Sequence, residues 1–486
     1  MDDDDYDELF YSYEETIKKE TPQIERKMML PAVVKNYVIE SEKISNYNEV
    51  PAAVSFFVIL GQIVKDLVAI PNAGRLDDIR IQFLWLQTSG TGKSTLTNFY
   101  IPILRNTFEK INTKHGTKFD IFDITDYTDA ALIGSMEREE QEVVDEDGNV
   151  TTIKVDVQIQ GQLEGDGLAI WDEFEYSGVF NQSQHKQNAI VYLNTFMNTI
   201  HGETWIIKKK LRLGDEPIEC KCRRSVYGTS YIPKNLNDVI HTKGVLQRLL
   251  MFVYEVPQHQ QESIRRMLIK NWGKKSNTQI PIEQFSNNFV KLYDCIKEKY
   301  EEMDSDMESV VTITKDAQAT MERECILMEK YVSDSRPEVI DAMNTFINRT
   351  LMHLQKLSVL CCVAEAPSIS DKTKRFKVTS NNVLQASSII RQCYKSLVDW
   401  LDEALTSRKS VLEEKANLVI FKKTYRDLSK STSDGWVNKK LLLNKIKSET
   451  KKSASTIYKW WPMVEEYFDE QKLQRSVYLK LKEDNK

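Results

Sequence analysis

An α/β core built on a mainly parallel sheet is the fold class that this 486-residue chain predicts, and three observations predict it. Between Asp77 and about Pro257, short apolar runs of strand length alternate with stretches of helical character, the pattern of parallel strands joined by crossover helices. One run, Ile79 to Leu86, feeds directly into a glycine-rich loop that opens a helix, Gln87-Thr-Ser-Gly-Thr-Gly-Lys-Ser-Thr95. Another, Leu168-Ala-Ile-Trp-Asp-Glu-Phe174, is an apolar strand that ends on two consecutive carboxylates.

The elements follow in order. Residues 1–49 open with Asp2 to Asp5 and have the composition of an acidic arm followed by a helix. The core spans 50–257. Its most apolar segment, Pro51 to Ile70, is interrupted by Gln62, Lys65 and Asp66, which leaves too short a clean run to cross a bilayer, so a buried helix is expected. Strands are expected at Ile79–Leu86, Phe119–Ile124, Gly167–Trp171, Arg224–Gly228 and Leu249–Tyr254. Residues 258–407 read as a helical linker and bundle, with Phe346, Leu351, Leu354, Leu357, Val359 and Leu360 near a helical repeat. A charged linker near Arg408 to Lys415 leads into the last segment, 408–486. There a strand at Trp436-Val437, a helix Lys439–Ser448, a turn, a second helix and an alternating strand Arg475–Lys482 are expected.

Composition sets the compartment and excludes some classes. The net charge of −6 argues against a generic nucleic-acid-coating protein, so any DNA contact must come from local basic patches. The seven cysteines and six histidines are scattered without zinc or disulfide spacing. No basic and apolar leader opens the chain. These features together predict a soluble protein of a reducing, cytoplasmic-type compartment, with no structural metal and no membrane partner.

The glycine-rich loop is a P-loop candidate for ATP. Backbone N–H groups of Thr88, Ser89, Gly90, Thr91, Gly92 and the residues up to Thr95 would cradle phosphate oxygens at a helix N-terminus. Lys93 would reach the β- and γ-phosphates, and Ser94 would ligate Mg2+. The usual pattern begins with glycine, and here Gln87 stands in that place. On the acidic strand, Asp172 is expected to hold Mg2+ and Glu173, aimed to the other side of the strand end, to orient and deprotonate the attacking water. In Ser225-Val-Tyr-Gly-Thr-Ser-Tyr-Ile-Pro233, a strand-end hydroxyl, Thr229 or Ser230, is placed to polarise that water, although an ordinary turn at Gly228 explains the same residues. Arg248 lies amid apolar residues and needs a partner, either an internal carboxylate or a γ-phosphate held by a neighbouring subunit.

Two hairpins are expected. In Gln141 to Gln160, apolar Ile153, Val155, Val157 and Ile159 alternate with polar residues beside an Asp-Gly-Asn turn. In Thr204 to Arg223, the positive charge clusters at Lys208, Lys209, Lys210 and Arg212. Such a cluster suits a nucleic-acid backbone, which asks for positive charge and no base edges; a solvated charged hairpin is the plainer reading.

The order P-loop, long insertion, G-x-L-x-G-x-G with an apolar strand and Asp-Glu-Phe, then Gly-Thr-Ser-x-Ile-Pro, then G-x-x-x-R resembles the hexameric AAA+ helicases of the minichromosome maintenance type and the related phage primase-helicase ATPases. The resemblance covers roughly residues 50 to 400. It implies a P-loop NTPase (AAA+) core with a helical lid, a homo-hexameric ring and ATP with Mg2+. It also implies Arg248 acting in trans, Arg349 contacting the γ-phosphate, and a basic hairpin tracking single-stranded or forked DNA in a central pore. The last segment looks like a winged helix, a module common on such helicases, with Trp460 and Trp461 expected in its core. A phage or viral replication protein in the host cytosol, working with other replication proteins, is the implied setting. A remodelling or helicase-loading ATPase acting on protein partners stands as the alternative.

Overall fold

The computed structural model describes residues 28–482 apart from 44–48, 73, 125–127, 145–149, 181–187, 198–199, 210–217, 234–235, 237–243, 272–278, 304–308, 367–374, 433 and 474–475. The chain divides into two compact units, Met1–Trp400 and Leu401–Lys486.

The first unit is α/β, with a central, mostly parallel sheet and helices packed around it. Helix α1 (Ala32–Glu42) leads to α2 (Glu49–Ile63), whose residues from Val50 to Ile63 are all buried. The apolar segment expected as one helix to Ile70 therefore stops at Ile63. It gives way to a small antiparallel hairpin, β1 (Ala69–Asn72) and β2 (Arg75–Asp78). The reversal falls between Asn72 and Arg75, with Gly74 at φ +84°, a conformation that suits glycine at a turn.

Strand β3 (Phe83–Gln87) is fully buried and runs into the loop before α3 (Lys93–His115). The strand begins four residues later than the apolar run, because Ile79 to Gln82 are buried without joining the ladder. In that stretch Arg80 pairs with Asp78, and the Gln82 side-chain oxygen accepts from the Val226 N–H. Next come β4 (Phe119–Asp123), α4 (Asp129–Ile133) and the long antiparallel pair β5 (Gly134–Val144) and β6 (Val150–Gln160), in register from Gly134 opposite Gln160 to Val144 opposite Val150. Then follow β7 (Gly165–Trp171), α5 (Ala189–Phe196), β8 (Trp205–Lys209), β9 (Ile218–Ser230), α6 (Gly244–Arg248) and β10 (Leu250–Tyr254).

In space the sheet runs β10-β3-β9-β7-β4, all parallel, with β8 antiparallel to the first part of β9. The strand that feeds the glycine-rich loop thus has β9 on one side and β10 on the other, and β9 separates it from the acidic strand β7. Close packing at the β4–β7 seam explains one glycine of G-x-L-x-G-x-G. Gly167 has φ +135°, and a Cβ there would sit 2.0 Å from the Asp120 carbonyl oxygen. Strand β9 is longer than the expected Arg224–Gly228, because its first five residues pair with β8 and its last ones with β3. The core gathers Trp85, Trp171, Phe83, Tyr100 and Tyr227, the last two stacked at 4.8 Å between ring centroids.

Helices complete the unit: α7 (Gln258–Asn271), α8 (Gln279–Glu301), α9 (Lys315–Ser333) and α10 (Pro337–Ala364). A two-stranded parallel ladder of three residue pairs, β11 (Val311–Ile313) and β12 (Phe376–Val378), lies among them and was too short to read from periodicity. Helix α11 (Ser380–Ser429) carries the chain into the second unit. The backbone is helical through Arg408 to Lys415, where a linker was expected. From Ser380 to Ser429 there is no glycine or proline, and Leu, Glu, Lys and Arg are strong helix formers.

The second unit adds β13 (Val437–Asn438), α12 (Lys439–Thr450), α13 (Ala454–Val464), β14 (Phe468–Leu473) and β15 (Ser476–Leu481), with sheet order β13-β15-β14. Its core joins Phe421, Tyr425, Leu442, Leu443, Ile446, Ile457, Trp461, Val464, Phe468 and Leu479, with Trp460 partly buried against it. Strand β14 escaped the sequence because five of its six residues are exposed, so no alternation marks it. Among the described residues no helix is long and apolar enough to cross a membrane.

Candidate functional site

The loop between β3 and α3 is braced by the residue that departs from the usual pattern. Gln87 is buried, and its side-chain carbonyl accepts from the Trp85 indole N–H at 2.9 Å. Its amide nitrogen donates to the Thr91 carbonyl at 3.1 Å and to Thr91 Oγ1 at 2.8 Å, while that hydroxyl donates to the Thr88 carbonyl at 2.5 Å. One buried amide therefore ties the strand end to the crest of the loop. The other flank is tied to β10: Thr88 N–H donates to the Tyr254 carbonyl and the Val256 N–H donates to Thr88 Oγ1. Gly90 and Gly92 take positive φ, +72° and +98°, and Gly92 caps α3. Ser89 and Gly90 are exposed, as is Ser94, and Thr95 is half-buried on the first turn. The Lys93 ammonium donates to the carbonyls of Gln87 at 2.7 Å and Thr88 at 3.3 Å. Burial pulls its pKa below that of an ordinary lysine, and the negative charges of Asp172 and Glu175 oppose that shift.

Asp172 and Glu173 follow the last residue of β7, on the same side of the sheet as the loop, since β7, β9 and β3 are parallel. Both are exposed. Thr229, near the end of β9, donates its hydroxyl to the Asp172 carboxylate, and the Glu173 N–H donates to the same carboxylate at 3.1 Å. Glu173 itself sits at φ +53°, a left-handed conformation uncommon outside glycine, in the turn before a 3-10 segment Phe174–Tyr176.

A third carboxylate was not singled out in the sequence. Glu175 is buried, accepts from the Ser230 hydroxyl, and contributes negative charge felt by Lys93. Burial raises its pKa above the usual glutamate value, with Ser230 acting against that shift. The two hydroxyls read as alternatives for one role thus contact different carboxylates, Thr229 that of Asp172 and Ser230 that of Glu175. The Asp-Glu-Phe-Glu run carried the signal for Glu175, but the residue looked like one more surface charge.

Arg248 lies at the other edge of the sheet. It ends α6, two residues before β10, whose Leu250 pairs with Phe83 at the start of β3, whereas the loop leaves the far end of that strand. Its guanidinium donates to Asn194 Oδ1 and to the Gly244 carbonyl, each at 2.8 Å. Burial lowers its pKa, and so does the positive charge of Arg349. Arg349 sits on α10, which turns Lys356 toward the same sheet edge, where its ammonium donates to the Arg80 carbonyl at 2.8 Å. The structure therefore brings Arg248 and Arg349 together and sets them apart from the glycine-rich loop of their own chain.

The basic hairpin exists as the antiparallel pair β8–β9, with Lys208 opposite Glu219 and Lys209 opposite Ile218 in the backbone register. Lys210 and Arg212 lie outside the described residues. Its neighbour is the β5–β6 hairpin, from which Gln158 donates to the Glu219 carbonyl at 3.1 Å.

The donor set suits a small hard cation: the Ser94 hydroxyl at a helix start and the Asp172 carboxylate are oxygen ligands of the kind that Mg2+ takes alongside phosphate and water. No protein-family model matches the chain, and a search of curated proteins returns no match.

Proposed function

We propose that the chain is an ATP hydrolase of the AAA+ type, working in DNA replication as a ring-forming helicase that translocates on single-stranded DNA. One observation carries the reading. A glycine-rich loop with Lys93 leaves the end of β3, an acidic strand ends on Asp172 two positions away, and the strand between them places Thr229 on Asp172. Ligands of open α/β sheets gather at such strand ends.

In this reading the loop amides and Lys93 hold the triphosphate, and Ser94 and Asp172 hold Mg2+, which when bound offsets phosphate charge. Glu173 accepts the proton of the attacking water, with its carboxylate free on the exposed side of the turn. Thr229 fixes the orientation of Asp172. Arg248 and Arg349 sit at the sheet edge opposite their own loop, so any nucleotide they serve belongs to another copy of the chain, which is the arrangement a homo-hexamer supplies. The lysines of the β8–β9 hairpin provide the charge for a DNA backbone.

The decisive experiment is ATP-dependent strand separation of a forked DNA duplex, with Lys93→Ala as control. Unwinding that the control abolishes supports the motor. Hydrolysis by the wild type without strand separation transfers the reading to a remodelling or loading ATPase, and no hydrolysis at all removes the enzyme assignment.

A further inference from the structure

The two units differ in charge. Residues 401–486 contain 19 Lys and Arg against 13 Asp and Glu, a net +6, whereas residues 1–400 carry a net −12. A protein acidic overall thus concentrates its positive charge in the small unit.

Part of that charge lies in one turn and the helix that follows it. Helices α12 and α13 are joined by the three residues Lys451, Lys452 and Ser453, all exposed, the connection length of a helix-turn-helix. Helix α13 turns Ile457, Trp461 and Val464 into the core at i, i+4 and i+7. The face away from the core presents Ser455, Tyr458, Lys459 and Pro462, again at helical spacing and all exposed, with Tyr458 at 59%. Ser453 caps this helix by accepting from the Thr456 N–H at 3.2 Å.

Three acidic groups of the unit are engaged elsewhere, and exposed Glu465 follows α13 directly, at the far end from the Lys451-Lys452 turn. Glu470 pairs with Lys439, which also lies 4.1 Å from the Trp461 ring centroid; Glu449 accepts from Thr424, and Asp427 pairs with Lys430. Lys451, Lys452 and Lys459 form no ion pair with a described residue. Three cations and an exposed phenol flanking a capped helix start, on a unit of net +6, fit a phosphate backbone better than any uncharged partner.

Shape narrows the class. Helix α13 has 11 residues, so it is about 16 Å long. The major groove of B-form DNA, about 12 Å wide, admits a helix, whereas the deep narrow groove of A-form RNA does not. We infer that the second unit is a duplex-DNA-binding module in which Lys451, Lys452 and Lys459 contact backbone phosphates and Tyr458 lies against the groove wall. The site uses none of the residues of the β8–β9 hairpin or of the glycine-rich loop.

The test uses the full chain and a fluorescein-labelled B-form DNA duplex of mixed sequence, with binding followed by anisotropy across a salt series. Replacing Lys451, Lys452 and Lys459 by Gln together should make the slope of log K against log salt shallower by about 2.7, at about 0.9 per phosphate contact. Between about 50 and 200 mM salt the wild type should then lose about 40-fold more affinity than the variant does. Tyr458→Ala should weaken binding while leaving the slope in place. Circular dichroism melting keeps a folding defect apart from a binding defect, since all four positions are exposed. Duplex affinity and slope unchanged in the triple variant overturn the inference. Absence of duplex binding by the wild type overturns it too, as does tighter binding to an RNA duplex or a single strand than to the DNA duplex. A Lys208→Ala, Lys209→Ala variant should keep its duplex binding, which separates this surface from the hairpin.

Discussion

Replacing Gln87 by glycine restores the usual first residue of the phosphate-loop pattern, and the structure predicts that it weakens nucleotide binding. The wild-type amide makes two hydrogen bonds to Thr91 and accepts a third from Trp85, all within 3.1 Å and out of contact with water. A buried neutral hydrogen bond contributes about 1 kcal/mol net, so losing two or three removes about 2–3 kcal/mol from the phosphate-ready loop. If that conformation becomes the minor one, apparent affinity falls with its population, by about 30- to 160-fold. Glycine also adds backbone freedom at the hinge between strand and loop. Gln87→Leu separates the two effects, because it keeps the side-chain volume and removes only the amide. The assay is calorimetric titration of Mg·ATP into wild type, Gln87→Gly and Gln87→Leu, each checked for native circular dichroism. Both variants should bind at least tenfold more weakly, glycine the worse. Affinity in Gln87→Gly equal to or tighter than wild type would refute the bracing argument and leave the consensus glycine as the better residue.

Other expectations address the rest of the site and the stability of the unit. Glu173→Gln should bind ATP with affinity near wild type and lose turnover by at least 100-fold, a typical contribution for a general base; retained turnover would shift that role to the buried Glu175. Mixed oligomers of Arg248→Ala and Lys93→Ala chains should recover part of the hydrolysis that each lacks alone, and a mixture as inactive as its components would show that Arg248 serves no neighbouring site. His353 is buried, and burial, with Lys356 and Arg349 adding to it, lowers its pKa to about 3 from 6.5. Because the unfolded state takes up the proton first, this histidine favours folding fully above about pH 6.5, and the contribution is lost progressively as pH falls toward 3. Denaturation followed between pH 7 and 4 should therefore show a steeper acid loss for wild type than for His353→Gln, and parallel curves would contradict it.

Legibility followed the range of the interactions. The glycine-rich loop, the acidic strand and the parallel strands could be read because each is a local pattern: an apolar run, a glycine turn, a charge at a strand end. What the sequence concealed depends on contacts made only in the fold, across a turned loop or between distant segments. Gln87 read as a defect in a motif because its partner, Thr91, is recognisable only once the loop has folded back. Glu175 looked like a third surface charge until burial and Ser230, 55 residues away, set it apart. The separation of Arg248 from the loop follows from β10 lying beside β3, a crossover that no periodicity records. Exposed strand β14 and the helix running through Arg408 to Lys415 were missed for a simpler reason: polar residues carry little pattern, and charge was taken for a break where good helix formers continue.

Strand β9 joins two places that the sequence keeps in separate motifs. Its start, at Ile218, forms the returning arm of the lysine hairpin, and its end, at Thr229 and Ser230, holds the two carboxylates beside the glycine-rich loop. Thirteen residues of extended backbone measure about 43 Å, with hydrogen-bonded neighbours along most of that length, so the strand resists both stretching and bending. The hairpin base and the hydroxyls that hold the carboxylates are therefore the two ends of one element, clamped by β8, β7 and β3 in turn.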